Sequence, residues 1–290
     1  MNGLAAGSVL ELPGALDALV ARVRARVAGL GRPAVVAVAG GSSTGKSTFV
    51  AAPLAAALGE GVRLVAQDMQ QRRVPVPLDP RWGWDDPANF GLDACLEAVE
   101  RFRRGADFSW PCYRFAERRH DAPERVGAGR ILVLEGLYAA RGPLRRAVDA
   151  IVYVEAPAVV RLVRRILRNQ YERYPGLAVP GRTAAGFLGA VSAAHRDCVR
   201  PQRAQADWLV RTAPALARLA ERFALAPLPV TPAVAVRRAV PLDGETTLAT
   251  VTLPDGAVHL RVDWRGACRL DAPLDTATAE AFDRFDPEAL

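Results

Sequence analysis

The chain has 290 residues, half of them hydrophobic, and a net charge of +7 from 38 Lys+Arg against 31 Asp+Glu. So apolar a chain buries enough surface on folding to offset its ordering entropy, which excludes disorder as the main state. Its most apolar stretch, Ala34 to Ala39, is far short of the roughly 20 residues that a membrane helix needs. Met1 to Leu12 lacks the charged and apolar regions of a secretory signal, and Cys95, Cys112, Cys198 and Cys268 are scattered. A reducing, cytoplasmic setting is therefore expected. Lys46 is the single lysine among the 38 basic residues. Isoleucine and asparagine are also scarce, so the bias reads as compositional, and what matters is where the one lysine stands.

In chain order, Ala15 to Gly29 carries Leu16, Leu19, Val20, Val23 and Val27 at helical spacing. Ala34 to Ala39 follows as a buried strand. Apolar runs recur at Val62–Ala66, Arg130 to Leu134, Ala150 to Val154 and Asp207 to Val210. Helical patterns at Ser47 to Leu58, Leu92 to Arg104, Val159 to Tyr171 and Ala184 to Val199 separate them. Strands apolar throughout that alternate with helices predict a parallel sheet covered on both faces. From about Pro227 the texture changes. Ala233 to Val240, Thr246 to Leu253 and Ala257 to Trp264 read as strands joined at Asp243-Gly244 and Asp255-Gly256, which are strong hairpin signals. A helix is expected over 215–226. The last twenty residues hold six acids and one arginine and read as an exposed or loosely docked tail.

Directly after the first long strand stands Gly40-Gly41-Ser42-Ser43-Thr44-Gly45-Lys46-Ser47-Thr48, a full GxxxxGK[ST]. Such a loop turns successive backbone N–H groups inward onto phosphate oxygens, and the helix that follows adds its positive end. Lys46 reaches the β- and γ-phosphates of ATP, and the Ser47 hydroxyl ligates Mg2+. A compact ammonium suits that cradle better than a planar guanidinium. The expected fold is therefore an α/β P-loop NTPase three-layer fold. Its sheet is mostly parallel and five-stranded, and a small C-terminal antiparallel β extension follows. The domains are expected at 1–214, with a lid near 158–182 and an acceptor insert near 69–125, and at 215–290.

Ligands of parallel sheets bind beyond the carboxyl ends of the strands, and two acids stand there, Asp68 and Glu135. Either can hold Mg2+ or accept the proton of an attacking hydroxyl, and the plainer reading of each is a turn or cap residue. Arg161, Arg164, Arg165 and Arg168 share one helix face, with Arg173 beyond. Such arginines can clamp a transferring phosphoryl group, or simply form a solvated basic face.

In these residues the chain resembles the uridine kinase and phosphoribulokinase group of P-loop kinases, over roughly 34–210. The landmarks are the loop at 40–48, Gln67-Asp68, Asp85-Asp86-Pro87 leading to Phe90, Pro111-Cys112-Tyr113-Arg114-Phe115, Leu134-Glu135-Gly136-Leu137, the arginine row, and His195 through Val199-Arg200-Pro201 to Ala206-Asp207. The resemblance implies a magnesium-dependent transfer from ATP to a small hydroxyl-bearing acceptor. Asp68 becomes the base and Glu135 a magnesium partner with Ser47 and Asp68. Arg164 faces the phosphates, Arg168 joins Lys46 and Asp68 in catalysis, and Phe90, Tyr113, Arg114, Phe115, Arg118 and Arg173 lie on the acceptor side.

Departures cluster on that acceptor side. Met69-Gln70-Gln71 replaces the usual Ser-Phe-Tyr, Gly91 stands where an aspartate grips ribose hydroxyls, and Arg114 and Arg118 replace an aspartate and a base-reading histidine. The lid's Gly-Arg after Glu-Arg is Tyr174-Pro175. Arginines suit carboxylate or phosphate, so the expected acceptor is an anionic small molecule or a nucleoside held differently from uridine. Eight of the nineteen aromatics fall in Trp82 to Phe115, as core or as a stacking wall. Asn-Lys-x-Asp and Leu-Ser-Gly-Gly motifs are absent, which excludes a GTPase switch and an ABC-type ATPase. No nucleic-acid or membrane partner is expected, and homo-oligomerisation is left open. The alternative from another class is a nucleotide-sensing regulatory protein with a degraded acceptor site.

Overall fold

The computed structural model describes residues 9–12, 14–71, 77–177, 179–212 and 223–287. In chain order, β1 (Val9–Leu12), β2 (Ala34–Gly40) and β3 (Val62–Ala66) precede four short strands, β4 (Phe108–Trp110), β5 (Tyr113–Arg114), β6 (Arg119–His120) and β7 (Glu124–Val126). Next come β8 (Ile131–Gly136), β9 (Ala150–Glu155) and β10 (Trp208–Thr212), and then β11 (Ala235–Pro241), β12 (Thr246–Thr252), β13 (Val258–Trp264) and β14 (Ala267–Leu274). Between them lie helices α1 (Leu16–Val27), α2 (Ala52–Leu58), α3 (Leu92–Arg103), α4 (Pro143–Ala147), α5 (Ala158–Arg168) and α6 (Pro180–Gly186).

The main sheet runs β1-β10-β9-β2-β8-β3 and is parallel throughout. It has six strands where five were expected. The added edge strand β1 is four residues of alternating burial, too short for a distinct signal beside the apolar central strands. Every residue of β2 and β9 is buried, as a sheet covered on both faces requires. Successive β2 side chains point to opposite faces. Val36 and Val38 pack with Leu19 and Val23 of α1 and Leu54 of α2. Val35 and Ala37 pack with Val99 and Phe102 of α3 and Leu144 of α4.

At the amino end of β2 and β9, Asp149 accepts from the Val35 N–H at 2.9 Å and from both terminal nitrogens of Arg32. Arg103 stands 3.4 Å away. Burial pushes this carboxyl up, but the Arg32 and Val35 hydrogen bonds outweigh it and hold it below the ordinary 3.8.

Two compact units emerge, Met1–Glu155 with Ala193–Ala213, and Ala156–Ser192 with Pro214–Leu290. The segment 156–192, expected inside the first domain, thus belongs with the C-terminal strands. The cause is a shared core: Val159, Leu162, Val163 and Ile166 of α5 form one cluster with Leu248, Leu260, Val262, Trp264 and Leu270 of the antiparallel sheet. That sheet runs β11-β12-β13-β14. The expected loose tail is also corrected. Residues 267–274 are β14, and Thr276–Arg284 is a helix capped by Asp275, whose side chain accepts from the Thr278 N–H. Phe282 of this helix is buried in the same cluster, because Thr278, Ala279 and Phe282 fall on one helical face. The helix expected over 215–226 falls mostly outside the described residues.

Candidate active site

The glycine-rich loop at 40–48 closes off β2 in the first unit. Gly40 has φ +148°, and a Cβ there would stand 2.3 Å from the Val154 carbonyl oxygen of neighbouring β9. Only glycine lets the loop leave the sheet at that point. Thr44 donates from Oγ1 to the Gly41 carbonyl at 3.0 Å, and Lys46 folds its ammonium onto the same carbonyl at 2.9 Å. Thr212, at the end of β10, braces the loop by donating to the Thr44 carbonyl at 2.6 Å. A π-type turn, Lys46–Ala51, then leads into α2.

Register places the acids. Glu135 on β8 pairs with Val38 of β2 on one side and Ala66 of β3 on the other. The loop, Glu135 and the turn Gln67–Gln70 that carries Asp68 therefore share the carboxyl edge of three adjacent strands. Ser47 Oγ donates to Glu135 Oε1 at 2.9 Å. Lys46 and Glu135 are 8% and 7% exposed, so both charges sit where water screens them little.

These residues suit a phosphate and its divalent ion. Ser43 takes φ 62° without being glycine, a conformation that tends to persist at functional sites. Its Oγ is buried with no hydrogen-bond partner among the described residues, which an oxyanion could supply. The Ser47 hydroxyl and the Glu135 carboxylate are the hard oxygen donors that Mg2+ takes. No group of three His, Cys, Asp or Glu side chains able to hold a metal occurs among the described residues.

The surroundings of Asp68 hold contacts that motif spacing did not indicate. Gln67 is fully buried and its Oε1 accepts from the Tyr138 N–H at 2.8 Å. Trp110 donates from Nε1 to the Ala66 carbonyl at 3.1 Å, and Gly91 N–H donates to the Gln70 carbonyl at 2.9 Å. Tyr138 is itself fully buried, and burial pushes its phenol well up from the ordinary value. Its hydroxyl donates to the Asp85 carbonyl. Asp207 of the terminal Ala-Asp landmark turns out to be a backbone clamp on β9, accepting from the Ile151 N–H at 2.8 Å.

On the acceptor side the placements differ from residue to residue. Phe90 is 3% exposed and meets Tyr138 edge-on at 5.1 Å, so it is core rather than an open wall. Phe102, Phe108 and Trp110 are core as well. Tyr113 meets Phe115 at 5.1 Å and His120 at 5.0 Å, on the hairpin of β5 and β6. Arg114 is bound to Asp121 at 2.5 Å and exposed, while Arg119 pairs with Glu117 and Asp121. Arg118, at the hairpin's turn with φ 52°, stands 5.7 Å over the exposed ring of Trp84. A Cβ on Gly91 would come within 3.2 Å of the Gln70 carbonyl, so an aspartate there would press on that carbonyl.

Arg164, Arg168 and Arg173 belong to the second unit. Arg161 and Arg164 are buried, and Arg161 lies 5.5 Å from the Phe187 ring. Burial pushes the Arg164 guanidinium down to about 10, so it stays cationic at neutral pH.

Fold, loop and strand-end acids together define the P-loop kinase class. The chain belongs to the Phosphoribulokinase / Uridine kinase family, which it matches over residues 35–217. It is 31% identical over 184 residues to the uridine kinase of Deinococcus deserti, spanning 62% of this chain and 87% of that one. It is 27% identical over 188 residues to the uridine kinase of Anoxybacillus flavithermus, with 62% and 86% covered. A solved structure of a putative fructose transport system kinase from Silicibacter sp. TM1040 shares the fold, with TM-score 0.53 and 23% identity over 67% of this chain and 98% of that chain. Strands β11 to β14 lie beyond the family match. No helix among the described residues is long and apolar enough to cross a membrane.

Proposed function

We propose that this protein transfers the γ-phosphoryl group of ATP to a hydroxyl of a small molecule whose contacts differ from those of uridine in uridine kinases. The observation that carries the reading is the shared strand edge, with Ser47 bonded to Glu135 at 2.9 Å and Asp68 two residues past the Ala66 that pairs with Glu135. Kinase relatives support the reaction class.

The loop amides, Ser43 and Lys46 bind and orient the β- and γ-phosphates, and the positive end of the helix favours the charge they carry. Ser47 and Glu135, with Asp68 across the edge, would hold Mg2+. The ion, when bound, neutralises charge on the phosphate oxygens. Asp68 accepts the acceptor's hydroxyl proton as that oxygen attacks the γ-phosphorus and the bond to the β-phosphate oxygen breaks, leaving ADP. Catalysis is then positioning and charge stabilisation.

For the acceptor, the half-buried Tyr113 and Phe115 and the exposed Trp84–Arg118 pair offer ring and cation surface, whereas the charge of the exposed Arg114 is already answered by Asp121. A phosphorylation screen across ribonucleosides, pantothenate-like acids and sugar phosphates tests this. The expected result is turnover of an acceptor other than uridine. Uridine turnover at a kinase-typical rate of about 1–100 s⁻¹ would overturn the altered acceptor. ATP that binds while no acceptor is turned over would favour the nucleotide-sensing alternative.

A further inference from the structure

The proposed base and the proposed metal-side acid stand on segments far apart in sequence, and phosphoryl transfer requires one spacing between them. Gln67, next to Asp68, reaches a partner 71 residues away, the backbone N–H of Tyr138 just past Glu135 and Gly136. We propose that Gln67 is a positioning residue that locks the Asp68 turn to the Glu135 strand end and thereby sets the distance between acceptor base and phosphate site. This inference rests on the reading of Asp68 as base.

Three observations carry it. A fully buried carboxamide is a poor choice for filling space, because its polar atoms are desolvated and a leucine or methionine would pack there without that cost. Its presence is explained by direction: Oε1 takes the Tyr138 N–H at 2.8 Å. Second, the backbone at Gly136 is not left-handed, so conformation does not require glycine there. Space does. A Cβ on Gly136 would stand 2.5 Å from Gln67 Cβ and 2.6 Å from its Oε1. The glycine after Glu135 is thus the room into which the Gln67 side chain fits.

Third, both ends of the link are anchored. Tyr138 packs edge-on against Phe90 and donates to the Asp85 carbonyl. On the other side, the Ala66 and Gln70 carbonyls accept from Trp110 and Gly91, and the Tyr113 N–H points at Met69 Sδ, 3.4 Å away. The residues flanking Asp68 are therefore tied to β8 or to the acceptor insert. Such bracing matters because a misplacement of about 1 Å at a reacting group can cost about 100-fold in rate.

The experiment uses the full chain with ATP and whichever acceptor of the screen turns over fastest, well below each variant's melting temperature. Gln67→Met keeps the volume and loses the acceptor oxygen. Its kcat is expected to fall by about 10- to 100-fold, while the Kd of a fluorescent ATP analogue stays within about threefold, since Lys46 and the loop are untouched. A merely structural glutamine would lower Tm and leave kcat unchanged. Gly136→Ala, which presses on the same carboxamide from β8, is expected to give the same split and stands in if Gln67→Met does not fold. Wild-type kcat in a folded variant of either kind overturns the proposal. Asp68→Asn is measured alongside. If it is inactive while Gln67→Met is fully active, the lock alone fails; if it is fully active, the assignment of the base fails and the lock with it.

Discussion

Ser47 Oγ donates to Glu135 Oε1 at 2.9 Å, joining the first turn after the phosphate loop to the end of the adjacent strand. The pair places a hydroxyl and a carboxylate together at 7% exposure of the acid, which is the donor chemistry of a magnesium site. Glu135→Gln keeps an acceptor for Ser47 and removes the charge. The magnesium concentration for half-maximal activity is expected to rise by about 10- to 100-fold, read from titrations at fixed ATP.

Lys46 donates to the Gly41 carbonyl from within the loop. Lys46→Arg preserves the charge but places a planar fork where a compact ammonium fits. It is expected to lose kcat by about 10²–10³-fold with little change in Tm. Steady-state rates and thermal melts of the two proteins check this, and near-normal turnover would show that charge alone suffices.

At the far end of the sheet, Asp149 is held below its ordinary value of 3.8 by Arg32 and the Val35 N–H despite burial. Its folded pKa lies below its unfolded one, so its stabilisation is present above about 3.8 and is lost as pH falls through the folded value. Asp149→Asn is expected to destabilise the protein by about 1–3 kcal/mol at pH 7. The gap should narrow below pH 3.8, as urea melts across pH would show.

Helix α5 shares its core with β12 and β13 through Val163, Ile166, Leu248 and Leu260. Leu260→Ala is expected to cost about 2–5 kcal/mol in that unit and to raise amide hydrogen exchange in Ala158–Arg168. Unchanged exchange in α5 would mean that helix and sheet are not one cooperative body.

How much of this was legible in the sequence depended on the range of the interaction. The loop at 40–48 and the acids Asp68 and Glu135 were readable, since motif spacing and strand ends are local signals. Strand β1 was not, because an edge strand of four residues alternates too briefly to register. Neither was the attachment of 156–192 to the C-terminal sheet, which depends on which α5 valines and leucines meet β12 and β13. The arginine row illustrates the same limit: helical spacing placed 161, 164, 165 and 168 on one face, but only the fold shows Arg161 against Phe187. The hydrophobic period could not show that Asp121 claims Arg114, or that Gly136 makes room for Gln67, a residue far from it in sequence.

Acceptor-dependent ATP consumption, compared between the wild-type chain and Asp68→Asn across the screened acceptors, tests the central claim most directly. The account predicts that at least one acceptor drives ATP turnover in the wild type. Asp68→Asn should lose that turnover by at least about 100-fold while still binding ATP. Full turnover in Asp68→Asn, or ATP consumption that no acceptor stimulates, would contradict it.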